Sequence, residues 1–177
     1  MNVLVAYATR HGATAGIADR IAGTLRSAGH QAVSIPVEDV KTPEDYDAVV
    51  LGGAAYMFHW LKPAVKFARR HADALATRPV WLFSSGPLGD SMVDPDGADI
   101  LTSARPKEFD ELVALLHPRG ERVFFGAYDP TAKPIGLGER LVRHMPANAE
   151  NSMPAGDFRD WDAIDAWAAE IAATLNA

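Results

Sequence analysis

The chain has 177 residues, a formal net charge of −6, 48% hydrophobic and 23% charged residues, and no cysteine. These values fit one globular domain spanning 1–177, which would bury about 70% of its unfolded surface. They exclude a disulfide scaffold, a thiolate metal site and a cysteine nucleophile. They argue against nucleic acid as a partner. No apolar run approaches the ~20 residues of a membrane span, and the N-terminus lacks the basic start of a signal peptide. A cytoplasmic protein with at most peripheral membrane contact is expected.

In chain order, NVLVAYA (2–8) is a continuous apolar run, as in a strand buried on both faces. Ile17, Ala18, Ile21, Ala22 and Leu25 then recur at helical spacing, with Gly29 as the stop. QAVSIPV (31–37) reads as a second strand ending at, or edged by, Pro36. DAVVLGG (47–53) is a third strand, closed by glycines. Leu61, Val65, Ala68, Ala72 and Leu75 make one helix stripe, and PVWLFSS (79–85) a fourth strand. A long Gly/Pro/Asp-rich loop precedes a helix marked by Phe109, Leu112, Val113 and Leu116. ERVFFGAY (121–128) is a fifth strand. The last helix starts at Asp160 as N-cap and carries Trp161, Ile164, Trp167, Ile171 and Leu175 on one face. Strand–helix alternation with five strands predicts a parallel sheet covered by helices on both faces. Ligands of such sheets bind at the carboxyl ends of the strands.

The first of those ends is ATRHGAT (8–14). A helix start offers unpaired N–H groups and partial positive charge. Gly12 lets the backbone bend around an anion. Thr9 and Thr14 add hydroxyl donors, and Thr14 has a second reading as a simple helix cap. Arg10 can add a charge-assisted contact, although nothing in the sequence fixes its direction. No GxxxxGK[ST] occurs and no GxGxxG follows the first strand, so neither a triphosphate loop nor a dinucleotide fingerprint is present. GLG at 136–138 follows a loop.

The corner Thr9-Arg10-His11-Gly12-Ala13-Thr14 fits the pattern [ST]-x-x-G-x-[ST] and resembles the phosphate loop of the flavodoxin-like family. Its TRHGAT form is similar to the TRxGxT of the menaquinone-dependent protoporphyrinogen IX dehydrogenase branch. The resemblance extends through YDAVVLGGAAYMFHW, FDELVALLHPRGERVFFGAY and FRDWDAIDAWAAEIA. It implies an α/β three-layer sandwich with a five-stranded parallel sheet in the order 2-1-3-4-5. It implies one bound FMN, with the phosphate in Thr9–Thr14. The ring would lie between Ala54, Ala55, Tyr56, Met57, Phe58 and His59 on one side and Ser84, Ser85, Gly86, Pro87, Leu88 and Gly89 on the other.

The residue types suit such a ring. Gly52 and Gly53 admit close approach to the backbone. Tyr56, Phe58 and Trp60 offer aromatic faces, with Tyr56 nearest the strand end, while Phe58 and Trp60 serve equally as covers for the core. Ser84, Ser85 and Gly86 offer donors. His11 and His59 read as loop residues rather than proton donors, and the six dispersed histidines form no metal-ligand cluster. No side chain stands out as a general acid or base, as expected where a cofactor carries the chemistry.

Three functions follow from the resemblance. The first is an FMN oxidoreductase taking electrons from a small-molecule donor, a porphyrinogen in that branch, and passing them to a quinone. The second is an electron carrier between protein redox partners. The third is a regulatory or structural module that has lost FMN, against which the intact corner argues. The segment 90–111 carries Asp90, Asp94, Asp96, Asp99, Glu108, Asp110 and Glu111 against Arg105 and Lys107. Anionic lipid would repel it, and basic redox partners would be attracted. The helix with Lys62, Lys66, Arg69 and Arg70 reads as a solvated face. The segment 128–159 is long for a connection, contains a short GERLVRHM helix with Leu141 and Val142, and begins at the ligand edge. Tyr128 and Leu137 are candidates for a substrate wall, with core packing the alternative for Leu137.

Overall fold

The computed structural model describes residues 1–94, 96–132 and 154–177. Its strands are β1 (Asn2–Ala8), β2 (Gln31–Pro36), β3 (Ala48–Tyr56), β4 (His59–Trp60), β5 (Val80–Ser85), β6 (Gly120–Phe124), β7 (Ala127–Tyr128) and β8 (Gly156–Asp157). Its helices are α1 (Ala13–Ser27), α2 (Lys62–Arg70), α3 (Ala72–Ala76), α4 (Ile100–Ser103), α5 (Phe109–Leu116) and α6 (Trp161–Asn176). Five strands pair in the order β2-β1-β3-β5-β6, all parallel. This is the expected five-strand arrangement, 2-1-3-4-5 when the main strands are counted alone. β4 adds a short antiparallel hairpin to β3.

Both sheet faces are apolar because both are covered. On one face Leu4, Val49, Leu51, Val80 and Leu82 pack with Ala64, Phe67, Phe109 and Leu112 of α2 and α5. On the other, Val3, Val5, Val50, Trp81 and Phe83 pack with Ile17, Ile21, Ile164 and Trp167 of α1 and α6. Alternate residues of one strand thus go to opposite cores, the period-2 consequence of the pleat. Asp160 caps α6, its Oδ1 accepting from the Ala163 N–H at 2.9 Å. Gly29, at φ +92°, ends α1.

The structure departs from expectation in three places. The single helix through Leu61–Leu75 is two helices. His71 leaves helical geometry at φ −110°, ψ 21°, and serves as C-cap of α2 and N-cap of α3. Its ring lies 4.8 Å from that of Phe67. The expected fifth strand over 121–128 also divides. β6 stops at Phe124 because its partner β5 ends at Ser85, and Gly126 turns to donate its N–H to Pro87 O at 2.8 Å. Ala127–Tyr128 pairs instead with Gly156–Asp157 in a separate antiparallel ribbon.

Gly52 and Gly53 are the third correction. A Cβ on Gly52 would fall 1.9 Å from the Phe83 ring, and one on Gly53 2.7 Å from the Trp60 indole. The room these glycines leave is taken by core aromatics, not kept for a ligand.

Candidate functional site

The loops after β1, β3, β5 and β6 converge at the carboxyl edge of the sheet. After β1, Gly12 is the N-cap of α1 at φ +86°, ψ −10°, and a Cβ there would meet nothing within 4 Å. The position excludes larger residues by backbone geometry, not by crowding. The Gly12 N–H donates to Thr9 Oγ1 at 3.1 Å. The Thr9 hydroxyl therefore shapes the corner from within. Among the described residues no side chain caps α1, and its first turn holds no acidic residue. Its terminal N–H groups and positive end remain for an anion. A flavin phosphate fits this cradle on charge and on backbone shape.

Thr14 is not the helix cap. It lies inside the first turn, fully buried, and its Oγ1 pairs with Ser85 Oγ at 2.8 Å. If Ser85 donates, the Thr14 proton is left for another acceptor. The pair locks the start of α1 to the end of β5. Ser84, one residue earlier, points to the α2–α5 side. Its buried Oγ has no hydrogen-bond partner among the described residues. Gly86 donates to Phe124 O at 3.2 Å, and a Cβ on it would come within 3.3 Å of Ala55 Cβ. The second and third loops therefore touch.

Arg10 and His11 are exposed, and Ala13 is half-buried. The Arg10 guanidinium lies 4.6 Å above the centre of the Tyr56 ring, a direction the sequence does not specify. The stack bridges the first and second loops. Ala54 is buried and Ala55 half-buried. Met57 and Phe58, at φ 51° and 65°, form the turn between β3 and β4 and are 88% and 53% exposed. Phe58 is thus not a core cover. Trp60 is one: 2% exposed, it donates from Nε1 to Gly53 O and meets Phe109 edge-on at 5.2 Å.

The hairpin is held from behind by Glu108. Oε1 pairs with His59 Nδ1 at 2.8 Å, and Oε2 accepts the Trp60 N–H at 2.9 Å. The Lys107 N–H adds a bond to Phe58 O at 3.0 Å. Burial pushes the Glu108 carboxyl up, but its bonds to Trp60 and His59 outweigh that and hold it below the usual carboxylate range.

Pro87 and Leu88 border Gly126, and Gly89, at φ +101°, lies beside Pro154. Tyr128 is half-buried in the β7–β8 ribbon. Leu137 and the expected helix with Leu141 and Val142 lie outside the described residues. Residues the sequence reading missed are Glu108, Gly126, Asp157 and Arg159. Glu108, Gly126 and Arg159 act through contacts with distant parts of the chain, and Asp157 acts through Arg159. The only local signal is the charge pattern of GDFRDW.

Among the described residues no cluster suits a metal ion, and no helix is long and apolar enough to cross a membrane. A groove of about 680 Å³ runs between α1 and α6, along Arg20, Gly23, Thr24 and Asp165. The Arg20–Asp165 ion pair lies in its wall, on the helix surface away from the strand ends.

A protoporphyrinogen IX dehydrogenase [quinone] of Escherichia coli K12 is 33% identical to this chain over 86 residues, 48% of each protein. The chain thus aligns with about half the length of that relative. Among solved structures, an archaeal flavodoxin superposes with TM-score 0.61 at 14% identity, covering 100% of both chains. A cysteine-to-serine mutant of the flavodoxin from Pseudomonas aeruginosa superposes with TM-score 0.60 at 16% identity, again over 100% of both. These likenesses carry the fold. The flavodoxin-domain model matches residues 4–130, from the core of β1 past the β7 strand, and the chain belongs to the flavodoxin-domain family.

Proposed function

We propose that this chain binds one FMN at the carboxyl edge of its sheet and acts as an oxidoreductase of the protoporphyrinogen dehydrogenase type. Membership of the family implies a flavin cofactor and a redox role. The observation that carries the site is the start of α1, uncapped among the described residues, with Gly12 at positive φ and no described atom within 4 Å of where its Cβ would stand. The phosphate is assigned to Thr9, Arg10, His11, Gly12, Ala13 and Thr14. The ring is assigned to the space between Ala54–His59 and Ser84–Gly89, where Tyr56 and Phe58 present aromatic surface. Bound there, a flavin would supply the electron transfer between donor and acceptor. The protein's residues bind it, orient it and present it.

The donor is read as a small molecule, a porphyrinogen by analogy with the Escherichia coli relative, and the acceptor as a quinone. Two observations support an enzyme. The base of the 128–159 segment is tied to the loop after β5 through Gly126 N–H and Pro87 O. Tyr128 sits in that base. A wall there would position a substrate against the ring.

The second reading, a carrier between proteins, draws on the exposed Met57–Phe58 turn and the acidic 90–111 segment. Part of that acidity is committed internally. Asp94 accepts from Ser103 and from the Ala98 N–H, and Glu111 pairs with Arg69.

The test is titration of the purified protein with FMN, followed by anaerobic mixing of the loaded protein with protoporphyrinogen and then with a menaquinone analogue. Flavin bleaching by the first and recovery by the second are expected. A chain that never takes up FMN overturns the flavin reading. A loaded chain inert to porphyrinogen, but exchanging single electrons with a flavodoxin reductase, is a carrier.

A further inference from the structure

Arg159 lies just beyond β8, and its side chain is 16% exposed. Its Nε donates to Asp157 Oδ1 at 2.7 Å and its Nη2 to Asp157 Oδ2 at 2.5 Å. The remaining arm, Nη1, crosses to α1 and donates to the Ala13 carbonyl at 3.2 Å, a contact spanning 146 positions. The guanidinium plane rests 4.4 Å from the centre of the Trp161 ring. Space for it is provided by Gly16, where a Cβ would fall 2.5 Å from Nη1. One planar fork thus grips a carboxylate, an aromatic face and a helix backbone, a combination an ammonium cannot reproduce.

The charge of Arg159 is matched by Asp157, whose carboxyl the guanidinium holds below its usual range. The side chain therefore acts on α1 by geometry rather than as a second positive pole. Ala13 is the first residue of α1, immediately after Gly12. The aim of the following N–H groups depends on how that turn is held, and among the described residues no side-chain cap holds it. On the other side, the Phe158 N–H donates to Gly126 O and the Gly126 N–H to Pro87 O. Arg159 is thus the end of a bonded path from the loop after β5, through the ribbon, to the anion corner.

We propose that Arg159 is a positioning residue for the anion corner, holding the first turn of α1 so that its N–H groups converge on the phosphate of the bound flavin nucleotide. This rests on the FMN reading above. It predicts a phosphate-specific defect, because only the phosphate uses that turn.

The experiment compares FMN with riboflavin, which lacks the phosphate, by fluorescence titration of the full chain. R159A should weaken FMN about tenfold and riboflavin less than twofold. R159K, which keeps the charge but loses the planar fork, should fall between R159A and the parent. G16A keeps every charge and favours the helix, yet its methyl group would stand 2.5 Å from Nη1 and forces that arm off the Ala13 carbonyl. It should reproduce the FMN-specific loss, and it gives the same ratio if R159A fails to fold. Equal losses for FMN and riboflavin in R159A and G16A, or no loss in either variant, overturn the proposal while leaving the flavin reading in place. A parent chain that binds neither ligand overturns the flavin reading first, and this one with it.

Discussion

The corner after β1 and the turn after β3 both depend on positive φ, and they use opposite kinds of residue. At the corner the residue is glycine, Gly12 at φ +86°, with nothing near its absent side chain. At the turn the residues are Met57 and Phe58, at φ 51° and 65°, in positions where hairpins favour Asn-Gly. An L-residue in that region costs about 1–2 kcal/mol. The turn carries this cost twice and exposes two large apolar side chains as well. At the corner, backbone shape is what matters and the side chain is dispensable. At the turn, the backbone is held against its preference by bonds from Glu108 and the Lys107 N–H.

The comparison breaks most severely at Gly12. G12V places a β-branched residue at φ +86°, the least tolerant combination. With open space around it, any loss comes from the backbone moving. If the corner then loses one N–H contact to a charged phosphate, worth about 1.5–3 kcal/mol, FMN affinity falls by roughly ten- to a hundredfold. Isothermal calorimetry of G12V and G12A decides it, with alanine expected to lose less. An unchanged FMN affinity in G12V would place the phosphate elsewhere.

Next in size is the buried hydroxyl pair that joins the corner to β5. T14A leaves Ser85 Oγ buried without its partner, and should cost about 1–3 kcal/mol of folding stability in urea. S85A should cost a similar amount, and the double variant less than the sum of the two, since the single interaction is lost only once. Additive losses would show that the two hydroxyls do not depend on each other.

These contrasts mark where sequence suffices. The β1 run and the Thr9–Thr14 spacing are legible because the strand, the glycine and the helix start are contiguous, and each has a local cause. The two-faced burial of β3 and β5 is legible in their unbroken apolar runs. The Met57–Phe58 turn is not, because neither residue signals positive φ. The break at His71 is not, because no glycine or proline marks it. Glu108 reads as one more acidic residue of a charged segment until folding sets it behind the hairpin. Arg159 reads as the neighbour of a helix cap until the ribbon returns it to α1. What escapes the sequence in each case is a contact between distant elements.

The grip on the turn can be loosened by pH. Glu108 is held below its ordinary carboxylate range, so its contribution is present at neutral pH, above the unfolded value of about 4.3. That contribution is lost as pH falls through the lower, folded value. E108Q should remove about 1–2 kcal/mol near pH 7, one charge-assisted bond or two becoming neutral, and should flatten part of the acid limb of the stability profile. Urea midpoints of the parent and E108Q between about pH 3 and 7, in roughly half-unit steps, measure this. Parallel profiles would mean that the latch does not titrate.

The smallest effect has the opposite sign. Replacing the turn by its preferred residues, M57N/F58G, removes two strained side chains from positive φ. Full relief would return about 2–4 kcal/mol, but asparagine still sits at positive φ and glycine costs more chain entropy on folding. Phe58 is half-covered and gives up some contact area. A net gain of about 1 kcal/mol is expected, read as a rise in Tm of about 2–4 °C for a chain of this size. If the side chains are kept for ligand or partner contact, the same variant should bind flavin more weakly while melting higher. Stability and function moving in opposite directions would separate this turn from the corner, where G12V adds backbone strain and loses FMN affinity. A variant that melts higher and binds FMN and turns over its donor as the parent does would show that Met57 and Phe58 are exposed without a role.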